Sequence, residues 1–302
     1  MYLLYTLLIM DYIDAIAGAS ISTMSKKVYL TRLKKWVEEA KVELEDIITQ
    51  PDTYLKWVYK KSTNSQTQKS YISAILALFK HTPELKEKYK TAYDKWFDAF
   101  KKVNGKIEDK YKTNEPSERQ KEGFVEYKEI IQKRDALEKG SKERLLLAMY
   151  TYLPPLRSDF NKIYIYTEKP ARITQDNYIL LYDDPKIVLK EYKTSKNNKI
   201  LENPLPKELI QEIKDSLKEE PREWLFMDRT KGPYKSTSFN KWANRVFLKL
   251  FERPLTISLI RHSFINQLNF NTLSIQDKED IAKCMAHTVT TQDRYRLIFK
   301  KD

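Results

Sequence analysis

The sequence predicts a mainly α-helical protein in two domains: an all-helical domain, then a mainly α domain carrying a small antiparallel β-sheet. Three observations in the 302 residues point there. Apolar residues recur at helical spacing behind recognisable caps, with no convincing strand before about residue 160. Period-two alternation then takes over in "KIYIYT", "NYILLYD", "KIVLKEYK" and "KILENPLP", before helical spacing returns. Ahead of that change lies a polar stretch, "NGKIEDKYKTNEPSERQKEGF", nearly devoid of core residues and holding Gly105, Pro116 and Gly123. The expected boundaries are a helical domain over 1–105, a linker over 106–120 and a second domain over 121–302.

The elements follow in order. Ser22 or Thr23 caps a helix through "MSKKVYLTRLKKWVEEA", whose apolar face is Val28, Leu30, Leu33, Trp36 and Val37. "PDTYLKWVYKK" is a short helix with Pro51 at its start, where a missing N–H costs nothing. "SQTQKSYISAILALFKHT" and "ELKEKYKTAYDKWFDAFKKV" complete the first domain. The second opens with helices at "FVEYKEIIQKRDALEK" and "SKERLLLAMYTYL". Four short strands come next, the last two joined by a turn at "TSKNN". Helices close the chain at "PKELIQEIKDSLKE", "STSFNKWANRVFLKLF", "ISLIRHSFINQLNF" and "SIQDKEDIAKCMAH".

Composition narrows the class of partner. The formal net charge is +13, with 55 Lys and Arg against 42 Asp and Glu. Residues 1–115 carry a net +5 and residues 116–302 a net +8, so the charge is spread over both domains and is not a basic tail. Such a balance favours a polyanion, nucleic acid first. Lys26, Lys27 and Lys34 in the first domain, and Lys241 and Arg245 in the second, are candidate contacts to a phosphate backbone, chosen from helix faces. One cysteine, Cys284, rules out an internal disulfide and a cysteine-based zinc site, and suits a reducing, intracellular setting. The opening "MYLLYTLLIM" is apolar, but Asp11 and Asp14 interrupt it. It is too short to span a membrane and lacks the basic flank of a signal peptide, so it is expected to pack on a domain or a partner.

Four stretches of the second part carry candidate chemistry. "YLPPLRSDF" places Arg157 after a buried-looking helix and a double proline. "EYKTSKNNKI" is a hairpin with lysines at 193, 196 and 199. In "TISLIRHSFINQL", Arg261 and His262 sit inside an apolar pattern of Leu259, Ile260, Phe264 and Leu268. An arginine held there needs a partner, a carboxylate or a phosphate, because burying it unpaired is costly. "MAHTVTTQDRYRLIF" then sets His287 eight residues before Tyr295, in a chain with three histidines and twenty tyrosines. Taken singly, each is as well explained by a surface arginine, a solvated turn, a structural histidine and a core tyrosine.

Taken in order, the four resemble the catalytic domain of tyrosine recombinases, the phage-integrase family. "LIRHSF" is similar to that family's Leu-Arg-His-Thr/Ser-Phe helix, and "MAHTVTTQDRY" to its Leu-Gly-His-Ser…Thr-Gln…Tyr box. "YKTSKNNKILENPLP" is similar to its strand–turn–strand segment with the catalytic lysine. The resemblance spans about residues 119–299, and the helical first domain matches the family's core-binding, DNA-binding domain in kind. It implies a site-specific recombinase that cleaves and rejoins double-stranded DNA with no metal, ATP or other cofactor, as a homo-oligomer, a tetramer on DNA. Arg157 and Arg261 would hold the non-bridging oxygens of the scissile phosphate through forked, charge-assisted hydrogen bonds. His287 would donate a further bond, and Tyr295 would attack to give a 3′-phosphotyrosine. Lys193, favoured over Lys196 and Lys199 because it precedes the "TS" turn, would protonate the leaving 5′-oxygen. A two-domain clamp around the duplex would complete the picture.

The sequence departs from the family pattern in places. Ser258 stands where a His or Lys usually precedes the second arginine by three residues, and a hydroxyl carries no charge. Phe160 stands where a Glu often follows the first arginine, with Asp159 one residue earlier as a substitute to orient Arg157. His262 is expected to support its helix. The spacing from His287 to Tyr295 is one residue shorter than in many relatives. Seven residues follow Tyr295, which puts docking of a longer tail on a neighbouring subunit in doubt. Two other readings stay open on the sequence: a type IB topoisomerase, which shares the Arg/Lys/Arg/His/Tyr chemistry, and a DNA-binding protein that has lost catalysis.

Overall fold

The computed structural model describes residues 14–192, 195, 200–270 and 272–299. The apolar start, and Lys193, Lys196 and Lys199 of the lysine hairpin, therefore lie outside the described residues. The chain divides into two compact units, residues 1–113 and 114–302.

The first unit is all-helical. Helix α1 is described over residues 14–18. It is followed by α2 (Thr23–Ala40), α3 (Leu44–Thr49), α4 (Pro51–Lys61), α5 (Ser65–His81), α6 (Pro83–Lys88) and α7 (Lys90–Thr113). Local chemistry sets the starts. Ser22 caps α2 by accepting from the Ser25 N–H, Asn64 caps α5 by accepting from Gln66 and Thr67, and Pro51 and Pro83 open α4 and α6. The core gathers on α5, where Tyr71, Ile72, Ile75, Leu78 and Phe79 are buried. Trp36 lies edge-on to both Tyr71 and Trp96. Helix α3 was not foreseen, and the single helix expected over 84–103 breaks at Tyr89 into α6 and α7.

The linker needs a larger correction. The sequence ended the first domain at 105 and set 106–120 as a connection, but α7 runs on to Thr113. Val103 and Ile107, one turn apart, stay buried in the first unit. A surface helix that buries only one residue in four reads as polar, so composition mistook it for a loop. Asn114 then adopts a left-handed backbone (φ 52°), and after four non-helical residues the chain enters α8 (Glu118–Gly123).

The second unit continues with α9 (Tyr127–Ala136), α10 (Lys142–Thr151) and a 3-10 turn at Ser158–Lys162. Then come β1 (Tyr164–Tyr166), β2 (Asn177–Leu180), β3 (Lys186–Leu189) and β4 (Leu201–Pro204). The last helices are α11 (Lys207–Glu219), α12 (Ser236–Phe251), α13 (Ile257–Gln267), α14 (Ile275–Cys284) and α15 (Val289–Asp293). Helix α10 is the central strut, buried from Arg144 to Tyr150. Its Arg144 pairs with Glu212 of α11 at 2.7 Å and also donates to the carbonyls of residues 134, 135 and 137 at the end of α9.

The sheet has the order β1-β2-β3-β4. One face turns Ile165, Ile179, Ile187, Leu189 and Leu201 into the main core. The other face collects Tyr166, Tyr178, Leu180 and Val188. The sheet is mixed, where the sequence predicted an antiparallel one: β1 pairs with β2 in parallel, and only β2–β3 and β3–β4 are antiparallel. The ten residues between β1 and β2 return the chain to the start of the sheet before the next strand begins, so both strands run the same way. Among the described residues no helix is long and apolar enough to cross a membrane.

Candidate active site

Helix α13 is the spine of the site. Thr256 caps it by accepting from the Leu259 N–H, and Ser263 ties it to the Val125 carbonyl at 2.7 Å. Its apolar stripe faces the core, and Arg261 is inside that stripe with no solvent exposure. The guanidinium is solvated by neutral groups. Nη1 donates to the Pro155 carbonyl at 2.5 Å, both Nη atoms donate to the Met285 carbonyl at 3.3 Å, and Nη2 donates to His287 Nδ1 at 2.9 Å. Among the described residues no carboxylate forms an ion pair with it, and its Nε–H has no hydrogen-bond partner. Burial pushes its pKa below the usual arginine value; Arg157 adds to the push and Tyr295 opposes it.

Besides the Pro155 carbonyl, the carbonyls that meet the two arginines come from the turn after α14. Ala286 is left-handed there (φ 54°), a conformation that favours glycine. That turn sends the Met285 carbonyl to Arg261 and the Ala286 carbonyl to Arg157 Nη1 at 3.4 Å. It lies at the C-terminal end of a helix, where the backbone dipole is negative and suits two cations. Arg157 reaches it from the strap after α10, and the buried Tyr150 hydroxyl donates to the Arg157 carbonyl at 2.8 Å.

The two histidines are held in opposite tautomers. An arginine N–H only donates, so His287 Nδ1 accepts and the ring proton is on Nε2. That Nε2 is buried and, among the described residues, has no hydrogen-bond partner. Burial, and then the Arg261 and Arg157 charges, push His287 down to about 3, so it is neutral at physiological pH. A carbonyl only accepts, so His262 Nδ1 carries the proton it gives to the Tyr295 carbonyl at 2.6 Å. Burial keeps His262 below the usual histidine range as well.

Tyr295 is half-buried just beyond α15. The Arg261 guanidinium carbon is 4.6 Å from its ring centre. The His287 and His262 rings are 5.5 and 4.9 Å away, centre to centre. Arg157, Arg261, His287 and Tyr295, expected together from the sequence, are brought together. A cavity of about 460 Å³ opens beside His287, lined also by Tyr192, Leu201, Glu279, Lys283 and Thr288. A cavity of about 530 Å³ in the first unit, between the start of α4 and the α6–α7 junction, holds none of these residues.

His262 joins Arg157, Arg261, His287 and Tyr295, and the other predicted residues lie in several places. Asp159 lies in the 3-10 turn, and its charge acts on Arg261 and on the buried Tyr150. Ser258 is exposed on the first turn of α13 and takes no part in the hydrogen bonding around Arg261. Lys27, Lys34, Lys241 and Arg245 are exposed. Lys34 lies 4.0 Å from Glu38, and Lys26 turns back to donate to the Ala17 carbonyl at 2.5 Å. Sequence reasoning missed Tyr150, Gln120 and Asn266, which hydrogen-bond to the Arg157 carbonyl, to His262 and to the Leu297 backbone. Among the described residues no group of three or more His, Cys, Asp or Glu side chains could hold a metal ion.

No family model matches the chain, and no curated protein matches it. Among solved structures the chain is similar to the crystal structure of XerA recombinase, at 13% sequence identity and a TM-score of 0.44, over 98% of this chain and 94% of that one.

Proposed function

We propose that this chain is a tyrosine recombinase-type DNA strand transferase, an integrase, in which Tyr295 attacks a phosphodiester. The observation that carries the reading is a buried, un-neutralised donor set beside a phenol. Among the described residues Arg261 Nε and His287 Nε2 are buried donors without hydrogen-bond partners, and the Tyr295 ring lies against both side chains. Buried donors left unmade are costly, and a phosphate supplies both the acceptors and the missing negative charge.

The chemistry then follows from the residue types. Arg157 and Arg261 hold the non-bridging oxygens, and His287 donates from Nε2, so charge growing on the phosphate is met by fixed donors. The Tyr295 oxygen bonds to phosphorus, the bond to the 5′-oxygen breaks, and the phenolic proton passes to solvent water. The 5′-oxygen takes up a proton, for which Lys193 is the sequence-based donor. Attack by another 5′-hydroxyl reverses the steps and joins strands, because the phosphotyrosine conserves the bond. Lys27, Lys34, Lys241 and Arg245 are proposed to contact the DNA backbone.

The test is a covalent-adduct assay. Wild-type protein and Tyr295→Phe are mixed with supercoiled DNA carrying fragments of the source genome, then quenched with denaturant. The expected result is protein attached to a 3′ end in the wild type alone, at one recurrent position. Scattered attachment with relaxation of supercoils points instead to a type IB topoisomerase. No adduct, with salt-sensitive DNA binding intact, would overturn the proposal in favour of a protein that binds DNA without cutting it.

A further inference from the structure

The chain beyond Tyr295 is clamped by the same helix that carries Arg261. His262 and Asn266 are four residues apart on α13, so they share a face and are separated by about 6 Å of rise. Two residues of extended chain reach about 6.6 Å, so a segment running beside the helix can be met at alternate residues. That is how the contacts fall. His262 donates to the Tyr295 carbonyl at 2.6 Å. Two residues on, the Asn266 side-chain nitrogen donates to the Leu297 carbonyl at 2.8 Å, and its oxygen accepts from the Leu297 N–H at 2.8 Å. Asn266 thus replaces a neighbouring β-strand. The pair of backbone partners fixes the orientation of its amide, since a carbonyl accepts and an N–H donates.

The grip extends to both sides. Leu297 is buried, the Ile298 N–H donates to the Asn114 carbonyl at 2.9 Å, and the Phe299 ring lies 4.7 Å from Phe124. Behind His262 stands Gln120. Its Nε2 donates to His262 Nε2 at 3.4 Å, while its Oε1 accepts from the Ser117 N–H and hydroxyl at 2.9 Å in the capping box of α8. The Gln120 amide is therefore used at both ends. It holds His262 in the tautomer that donates to Tyr295. Gly123 lets α8 sit this close, since a Cβ there would meet the Pro254 carbonyl oxygen at 2.6 Å.

We infer that Asn266, together with the Gln120–His262 relay, is a positioning residue that holds Tyr295 in register with Arg261. One rigid helix then carries both the phosphate receptor and the grip on the nucleophile. This inference rests on the DNA-cleavage reading above. A displacement of about 1 Å in a reacting group is enough for a loss on the order of 100-fold.

The experiment compares wild type, Asn266→Ala, Asn266→Asp and Gln120→Met on a nicked duplex that traps the 3′-phosphotyrosine. It separates the rate of adduct formation from its final amplitude, and measures DNA affinity alongside. Lost positioning lowers the rate about 10- to 100-fold for the Asn266 variants, with amplitude and affinity unchanged. Lost folding lowers the amplitude and leaves the rate of the surviving molecules alone. Asn266→Asp keeps the acceptor and loses the donor, so it is expected to behave like the alanine variant. Gln120→Met, away from the clamp itself, is expected to slow the reaction by a smaller factor. Wild-type rates in all three variants would overturn the inference and leave the cleavage reading intact. No adduct from wild type on any DNA would overturn both.

Discussion

At His287, one side chain shows how position sets chemistry. Its Nδ1 is committed to Arg261, its Nε2–H has no partner among the described residues, and its pKa is pushed to about 3. A histidine with a folded pKa below its unfolded value of about 6.5 has a definite linkage sign. Above pH 6.5 both states are neutral and its contribution to stability is fully present. As pH falls from about 6.5 toward 3 the unfolded chain binds a proton that the folded one refuses, and stability is lost. Between pH 7 and pH 5 this group alone is expected to cost on the order of 2 kcal/mol. Urea unfolding of wild type and His287→Gln at the two pH values measures it, with a clearly shallower pH dependence in the variant. Equal slopes would mean that His287 titrates normally. Arg261 could be read as buried from its neighbours Leu259, Ile260 and Phe264. Tyr150, Gln120 and Asn266 could not be read, because each acts through a backbone group or a ring brought near only by folding.

At the scale of elements, the site depends on how closely α8 approaches α13. Gly123 is the point of contact: a Cβ would lie 2.6 Å from the Pro254 carbonyl oxygen and 2.7 Å from a Leu259 methyl. Backbone on one side and a packed side chain on the other leave little room to yield. Gly123→Ala is expected to destabilise the second unit by roughly 1–3 kcal/mol. It should also weaken the Gln120–His262 contact; an unchanged thermal midpoint would show that α8 gives way freely. The same scale explains the errors of the sequence reading. Alternating strands carry no information on direction, so the parallel β1–β2 pair was invisible. The C-terminal half of α7 looked like a linker because Val103 and Ile107 alone mark its buried side there.

For the whole molecule the governing quantity is charge. With a net +13 spread over both units, the proposed binding to duplex DNA is expected to fall steeply with salt. Alanine at Lys27, Lys241 or Arg245, all exposed, should weaken binding alike on any sequence and reduce the salt slope by about one. Alanine at Lys26 should leave the slope nearly unchanged, since its amine is committed to the Ala17 carbonyl. A filter-binding titration at several salt concentrations decides this, and equal slopes for Lys26 and Lys27 variants would count against it.

The sequence by itself determined the mainly helical plan with its small sheet and the basic balance of charge, and it singled out Arg157, Arg261, His287 and Tyr295, which the fold brings together. These follow from periodicity, composition and the order of residue types, which are local properties of the chain. Tertiary structure alone decided that the first helical unit extends to Thr113, that the sheet is mixed, that both histidines are neutral in opposite tautomers, and that Asn266 grips the chain after Tyr295. Burial and hydrogen-bond partners are set by atoms distant in sequence. The Pro155 and Met285 carbonyls that cradle Arg261 lie 106 and 24 residues from it, beyond the reach of any local pattern.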